Sequence, residues 1–148
     1  MRALLIGLIA FVLPAAVAQQ PAQQPALPAG VTVWQKGVPP AGIEQKDNYG
    51  SHILSISHRE KSGEVEIHEN KADVMIVQSG TATLMVGGKG LNLHRTAPNE
   101  LHGSGIEGGT KIEVGPGDVI HIPVGTPHQF LLKPGTQITY MLVKIVTS

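Results

Sequence analysis

The chain contains no cysteine among its 148 residues. This absence excludes disulfide frameworks, zinc–thiolate sites and cysteine nucleophiles together. Aromatic residues make up only 3% of the chain, which is too few for the stacking platforms that bind single-stranded nucleic acid. Neither charge sign prevails, since Lys+Arg and Asp+Glu both count 11, whereas nucleic acid favours a clustered positive surface. We therefore expect no nucleic-acid partner.

A long apolar run stands at the amino terminus. Arg2 precedes the apolar segment 3–13, Pro14 ends it, and residues 16–18 (AVA) form the small-x-small pattern that a signal peptidase cleaves. A membrane-spanning helix needs about 20 apolar residues, and this run is shorter. The sequence predicts a signal peptide over residues 1–18 and hence a secreted or periplasmic protein, with no membrane span after cleavage.

The remainder of the chain divides at about residue 30. Residues 19–30 are rich in Pro, Gln and Ala and lack apolar periodicity, which is typical of a flexible tether. Over residues 31–148, short β-branched runs alternate with glycine and proline turns, and no 3.6-residue period is sustained. This pattern indicates a single all-β domain.

Eight apolar runs in this domain predict strands. Such a number of short strands favours a closed barrel or a double-sheet sandwich. The runs are His52–His58, Glu64–His68, Val74–Gln78, Thr81–Val86, Lys111–Val114, Val119–Ile122, Gln129–Leu132 and Gln137–Val146. Between them, the stretch Leu91–Thr110 is rich in Gly, Asn and His. We expect it to be a long functional or mobile loop, able to cover the mouth of a barrel.

Residues 117–128 carry the clearest motif, a glycine, five residues, a proline, one residue, a glycine, two residues and a histidine. Pro123 ends a strand because proline cannot donate to a ladder, and Gly125 allows a tight reversal before His128. This segment resembles the second motif of the cupin family. The resemblance implies a jelly-roll β-barrel in which His128 points inward and binds metal. The family's asparagine four residues later is replaced here by Leu132.

A second segment resembles the first cupin motif in spacing. Glu66, His68, Asp73 and Gly80 stand where the family has histidine, histidine, glutamate and glycine. Imidazole and carboxylate both bind first-row divalent metals, so the replacements keep ligand chemistry at each position. The resemblance therefore implies a metal site made of Glu66, His68, Asp73 and His128, called below the candidate ligands.

Strand geometry bears on the first motif independently of the family. Residues two apart on a strand share a face, so Glu66 and His68 lie together while Val65 and Ile67 lie opposite. A polar pair that faces an apolar interior is costly unless it is paired, hydrogen-bonded or metal-bound. The alternative is that this face is exposed to solvent.

Two carboxylates among the candidate ligands neutralise a divalent ion, and nitrogen plus oxygen ligation suits Fe, Mn or Zn. We expect a metal-dependent enzyme, of oxygenase or isomerase type, that acts on a small organic molecule inside the barrel. A non-catalytic module that binds a small molecule or metal is the alternative. Cupins often form homodimers, which the resemblance makes an expectation here. No acid or base is assigned, and the roles of five further histidines stay open: His52, His58, His94, His102 and His121.

Overall fold

The computed structural model describes residues 27–147. The predicted signal peptide over 1–18 and most of the predicted tether lie outside the described residues. By its internal contacts the chain divides between Thr32 and Val33. In the short part before this division, Val31 N–H donates to the Pro28 carbonyl at 3.1 Å. No helix within residues 27–147 has the length and apolarity that a membrane crossing requires.

The part that begins at Val33 is built from short antiparallel strands that follow a single 3₁₀ turn, Gln35–Gly37. The strands are β1 (Lys46–Asn48), β2 (His52–Arg59), β3 (Val65–His68), β4 (Lys71–Gly80), β5 (Ala82–Val86), β6 (Lys89–Leu91), β7 (His94–Ala97), β8 (Glu100–Gly103), β9 (Gly105–Glu107), β10 (Thr110–Val114), β11 (Val119–Ile122), β12 (His128–Leu131) and β13 (Ile138–Val146). All eight predicted strands are present, with ends that differ by at most a few residues.

Two sheets form the body of the domain. One has the order β1-β2-β13-β4-β11, and the other has the order β10-β5-β12-β3-β8-β7. Consecutive strands commonly lie in different sheets, as β2 and β3 do, so the chain passes back and forth between them. This is a jelly roll, and the predicted all-β jelly-roll fold is confirmed.

Apolar side chains from both sheets pack into one core, as alternation on each strand requires. On β13, Ile138, Tyr140 and Leu142 are buried while the residues between them are not. They pack with Leu84 from β5 and Phe130 from β12, which belong to the other sheet. The rings of Phe130 and Tyr140 lie 5.0 Å apart between centroids. The core therefore joins the two sheets at one end of the domain.

The prediction of a long loop over Leu91–Thr110 is wrong. Strands β7 and β8 extend the six-stranded sheet, and β6 and β9 pair with each other. All four residues of β7 are exposed. Because none of them is buried, the sequence of this strand shows no apolar pattern from which it could be predicted. Strand β1 was also missed, for the same reason.

Candidate metal centre

The candidate ligands come from three strands and meet inside the domain. Glu66 and His68 lie on β3, Asp73 on β4 and His128 at the start of β12. Across the β12–β3 pair His128 is the direct partner of Glu66, so their side chains share a face. Asp73 is 1% exposed, and His68 and His128 are each 4% exposed. The solvent-exposed alternative for this face of β3 is therefore wrong.

The separations of the ligand atoms suit a single ion. Nε2 of His68 lies 3.2 Å from Oδ2 of Asp73 and 3.7 Å from Oε2 of Glu66. Nε2 of His128 lies 3.5 Å from the same Asp73 oxygen. Nitrogen and oxygen ligands bind a metal at about 2.0–2.2 Å, so two ligands of one ion lie within about 4.4 Å of each other. Glu66, His68 and His128 form a group whose ligand atoms could hold one metal ion, and Asp73, which lies beside both histidines, is not part of that group.

Each histidine ring is oriented by a partner on its other nitrogen. Nδ1 of His128 donates to the Thr126 carbonyl at 3.0 Å, and Nδ1 of His68 donates to the Glu100 carboxylate. Such a partner fixes the tautomer and leaves Nε2 as the ligand atom. Lys71 donates to Glu100 at 2.9 Å and holds that carboxylate in place. Both rings are thus arranged with Nε2 towards Asp73.

The contact of Glu100 with His68 is not predicted from the sequence, because Glu100 lies in the stretch Leu91–Thr110, whose composition is typical of a loop. Strand β8 places it directly opposite His68 on β3. Nothing local in the sequence marks this pairing, since β8 is only four residues long and lies 32 residues from His68.

Lys144 is the other residue that sequence reasoning missed. Its Nζ donates to both carboxylate oxygens of Asp73, at 3.1 and 3.2 Å, and lies 2.5 Å from Nε2 of His68. Strands β13 and β4 place the two residues in direct register. A signal was present, because Lys144 continues the inward alternation of Ile138, Tyr140 and Leu142.

Glu66 has a cation of its own. Nη2 of Arg59 donates to Oε1 of Glu66 at 2.7 Å, and Nε of Arg59 donates to the Tyr140 hydroxyl at 3.0 Å. The Arg59 side chain is 28% exposed, so this pair is only partly shielded from solvent. Each candidate carboxylate therefore has a basic side chain beside it.

These contacts set the charges of the site. Burial opposes ionisation of Asp73, but the contacts with His128 and His68 and the charge of Lys144 hold its pKa well below the usual range. Burial likewise opposes ionisation of Glu66, but the neighbouring positive charges, of which Arg59 contributes most, together lower its pKa below the ordinary value. Burial disfavours protonated His68, but its contact with Asp73 and the negative charges of Asp73 and Glu100 together raise its pKa above the ordinary value. Both carboxylates are therefore ionised at neutral pH.

None of the remaining histidines belongs to the group that could hold a metal, although His102 on β8 lies directly opposite Glu66 on β3. His121 is exposed on β11, where Ile120 and Ile122 face the core, so its side chain points away from the interior. His94 and His102 lie on paired strands rather than in a loop. The former is exposed and the latter is partly buried, with Nδ1 2.9 Å from Glu64.

A cavity of about 280 Å³ opens beside the candidate ligands. On β2 its wall is formed by Ser55, Ile56, Ser57 and Arg59, and neither His52 nor His58 lines it. Gln129 and Tyr140 add further polar groups. The cavity is large enough for a small organic molecule and offers it hydroxyl, amide and guanidinium groups next to the ligand atoms.

Comparisons with known proteins give matches among solved structures alone. Neither the protein-family models nor the curated proteins give a match. Among solved structures, the polyketide cyclase RemF from Streptomyces resistomycificus is 24% identical with a TM-score of 0.45, and the match covers 64% of this chain. A cupin protein from Bacteroides fragilis is 16% identical with a TM-score of 0.46 over 65% of this chain. A Thermus thermophilus protein is 14% identical with a TM-score of 0.49 over 70%.

The matched region spans 54% of the cyclase, 66% of the Bacteroides protein and 84% of the Thermus protein. At these identities the likeness concerns the fold alone. The activities of the similar proteins therefore give no assignment to this chain.

Proposed function

Because the chain has the cupin fold, we propose that it is a metal-dependent enzyme, of oxygenase or isomerase type, that acts on a small organic molecule. The observation that carries this proposal is the group of Glu66, His68 and His128 beside a polar cavity, with Asp73 in contact with both histidines. Their nitrogen and oxygen atoms suit one divalent ion, Fe, Mn or Zn. Glu66 and Asp73 supply negative charge against it.

A bound divalent ion would supply Lewis-acid polarisation of a substrate oxygen or, as iron, reactivity towards dioxygen. The chain itself supplies the surroundings. Ser55 and Ser57 offer hydroxyl groups to a ligand in the cavity, and Arg59 keeps Glu66 in place while its guanidinium lines the wall. Burial of the candidate ligands excludes bulk water, which strengthens every polar interaction within the site.

A second candidate function is a non-catalytic module that binds a small molecule or a metal. It is favoured by the pairing of Asp73 with Lys144 and of Glu66 with Arg59. These pairs give both carboxylates a counter-charge without any ion. The same cavity then serves for capture rather than turnover.

Export forms a further part of the proposal. The apolar run 3–13 and the cleavage pattern at 16–18 support a secreted or periplasmic protein. Homodimer formation also stays a prediction, to be checked by light scattering of the purified protein.

Metal content and turnover together test the proposed function. Elemental analysis of the purified chain is expected to give one divalent ion per chain. Oxygen uptake in the presence of phenols, thiols or keto acids is then expected from the iron-loaded chain and not from the His128→Ala variant. One metal per chain with no turnover on any substrate, including isomerisation followed by NMR, would support the binding module. A chain that takes up no metal would contradict both functions.

A further inference from the structure

Lys144 brings an ammonium group into the candidate metal centre. Its Nζ lies within hydrogen-bond distance of both oxygens of Asp73 and of Nε2 of His68. We propose that this ammonium occupies the metal position in the metal-free chain and must leave Asp73 and His68 before a divalent ion binds them. The inference rests on the proposed metal site and identifies a residue that sets its affinity.

The Lys144 ammonium and a bound ion would contact the same atoms of His68 and Asp73. The Lys144 nitrogen lies 2.5 Å from Nε2 of His68 and 3.1 Å from Oδ1 of Asp73. An ion bound to the same atoms would lie about 2.0–2.2 Å from each of them. Both positions lie against the same atoms of His68 and Asp73, and two cations held this close together repel strongly in a buried site. The ammonium and a divalent ion therefore exclude each other.

The buried carboxylate of Asp73 needs a positive charge beside it. Asp73 is 1% exposed, and a buried carboxylate without a counter-charge is strongly destabilising. In the metal-free chain Lys144 provides that counter-charge. The same contact opposes metal binding, because an ion must first displace it. One side chain thus stabilises the empty site and weakens its affinity for metal.

Lys144 also has room to leave. Its side chain is 14% exposed and lines the cavity of about 280 Å³. A lysine stem is flexible and its charge is compact, so the ammonium can turn away from Asp73 and remain hydrated in the cavity. No movement of the β13 backbone is required.

A purely structural ion pair between β13 and β4 is the alternative. Loss of such a pair would lower stability and would leave metal affinity unchanged or weaker. If the Lys144 ammonium competes with the ion, its loss has two opposite effects. The metal-free chain becomes less stable, and the metal binds more tightly. The two quantities measured on the same variant therefore separate the explanations.

In the experiment, Zn²⁺ and Mn²⁺ are titrated into the full chain and into its Lys144→Met and Lys144→Gln variants, and calorimetry measures the affinity for each metal. Both variants are expected to bind metal about ten- to hundredfold more tightly, since a charge-assisted hydrogen bond no longer has to be broken. Their metal-free forms are expected to unfold at a lower temperature. The amide of Lys144→Gln can still donate to Asp73, which preserves folding if Lys144→Met is unstable.

Lys71→Met is the matched control. The Lys71 side chain is 18% exposed, close to the 14% of Lys144, but its ammonium contacts Glu100 rather than a candidate ligand. Because Lys71 holds the Glu100 carboxylate that orients His68, its removal is expected to weaken metal binding, whereas removal of Lys144 is expected to tighten it.

Three outcomes decide between the possibilities. Unchanged or weaker affinity in both Lys144 variants, with metal bound by the parent chain, would overturn the inference and leave the proposed function standing. Absence of metal binding in parent and variants alike would overturn both. Tighter binding in the variants, or binding in the variants alone, supports the inference.

Discussion

His68→Ala and His128→Ala are each expected to lose the bound metal and leave the fold intact. Each change removes one nitrogen ligand. Removal of a group that only orients a ligand already weakens metal binding about 10- to 100-fold, so we expect a loss of at least about a hundredfold here. Asp73 keeps its ion pair with Lys144 in both variants, and this contact supports folding of the metal-free chain. Metal content after dialysis and circular dichroism give the two readouts.

His121→Ala is the control for this prediction. His121 is exposed on β11 and faces away from the core, so its removal tests whether any histidine loss reduces metal content. The control is expected to keep a full complement of metal. Metal retained by both site variants would contradict the assignment of the candidate ligands.

Gly80→Ala is expected to destabilise the fold by about 2–5 kcal/mol, from a left-handed backbone penalty and from overpacking. Gly80 has φ +74°, and a Cβ at this position would lie 1.9 Å from the backbone oxygen of Gln137. That oxygen belongs to the chain just before β13 and cannot move without disturbing the β4–β13 pair. Urea denaturation of the variant and the parent chain gives the difference in the free energy of unfolding.

Gly125→Ala provides the matched comparison. Gly125 has φ +73°, but a Cβ there meets nothing within 4 Å. Only the backbone penalty applies, so we expect a loss of about 1–2 kcal/mol. Equal losses in the two variants would show that the close approach to Gln137 does not explain the need for glycine at position 80.

The strands that could be predicted from the sequence are those that contain short runs of apolar and β-branched residues. On β13 the run from Ile138 to Val143 is visible in the sequence, and every second residue from Ile138 to Leu142 is buried. Strand β7 is exposed throughout, and its backbone pairing with β8 leaves no trace in side-chain type. The segment around it was therefore interpreted as a loop.

The candidate ligands could be predicted because motif spacing places them on strands and at a turn. Their partners could not be predicted in the same way, because they come from distant parts of the chain. Lys144 stands 71 residues from Asp73 and meets it through the β4–β13 register. Alternation predicts that Lys144 faces inward, but only the register shows which residue it meets. Glu100 meets His68 through the β3–β8 pair, which was not predicted.

The position of the metal tests the central claim most directly. Crystals of the chain loaded with Zn²⁺ or Mn²⁺ give an anomalous difference map that locates the ion. The account predicts one strong peak within bonding distance of Glu66, His68, Asp73 and His128, with the Lys144 ammonium turned away. A peak elsewhere, for example beside His94 and His102, with these four side chains left unbound, would contradict it.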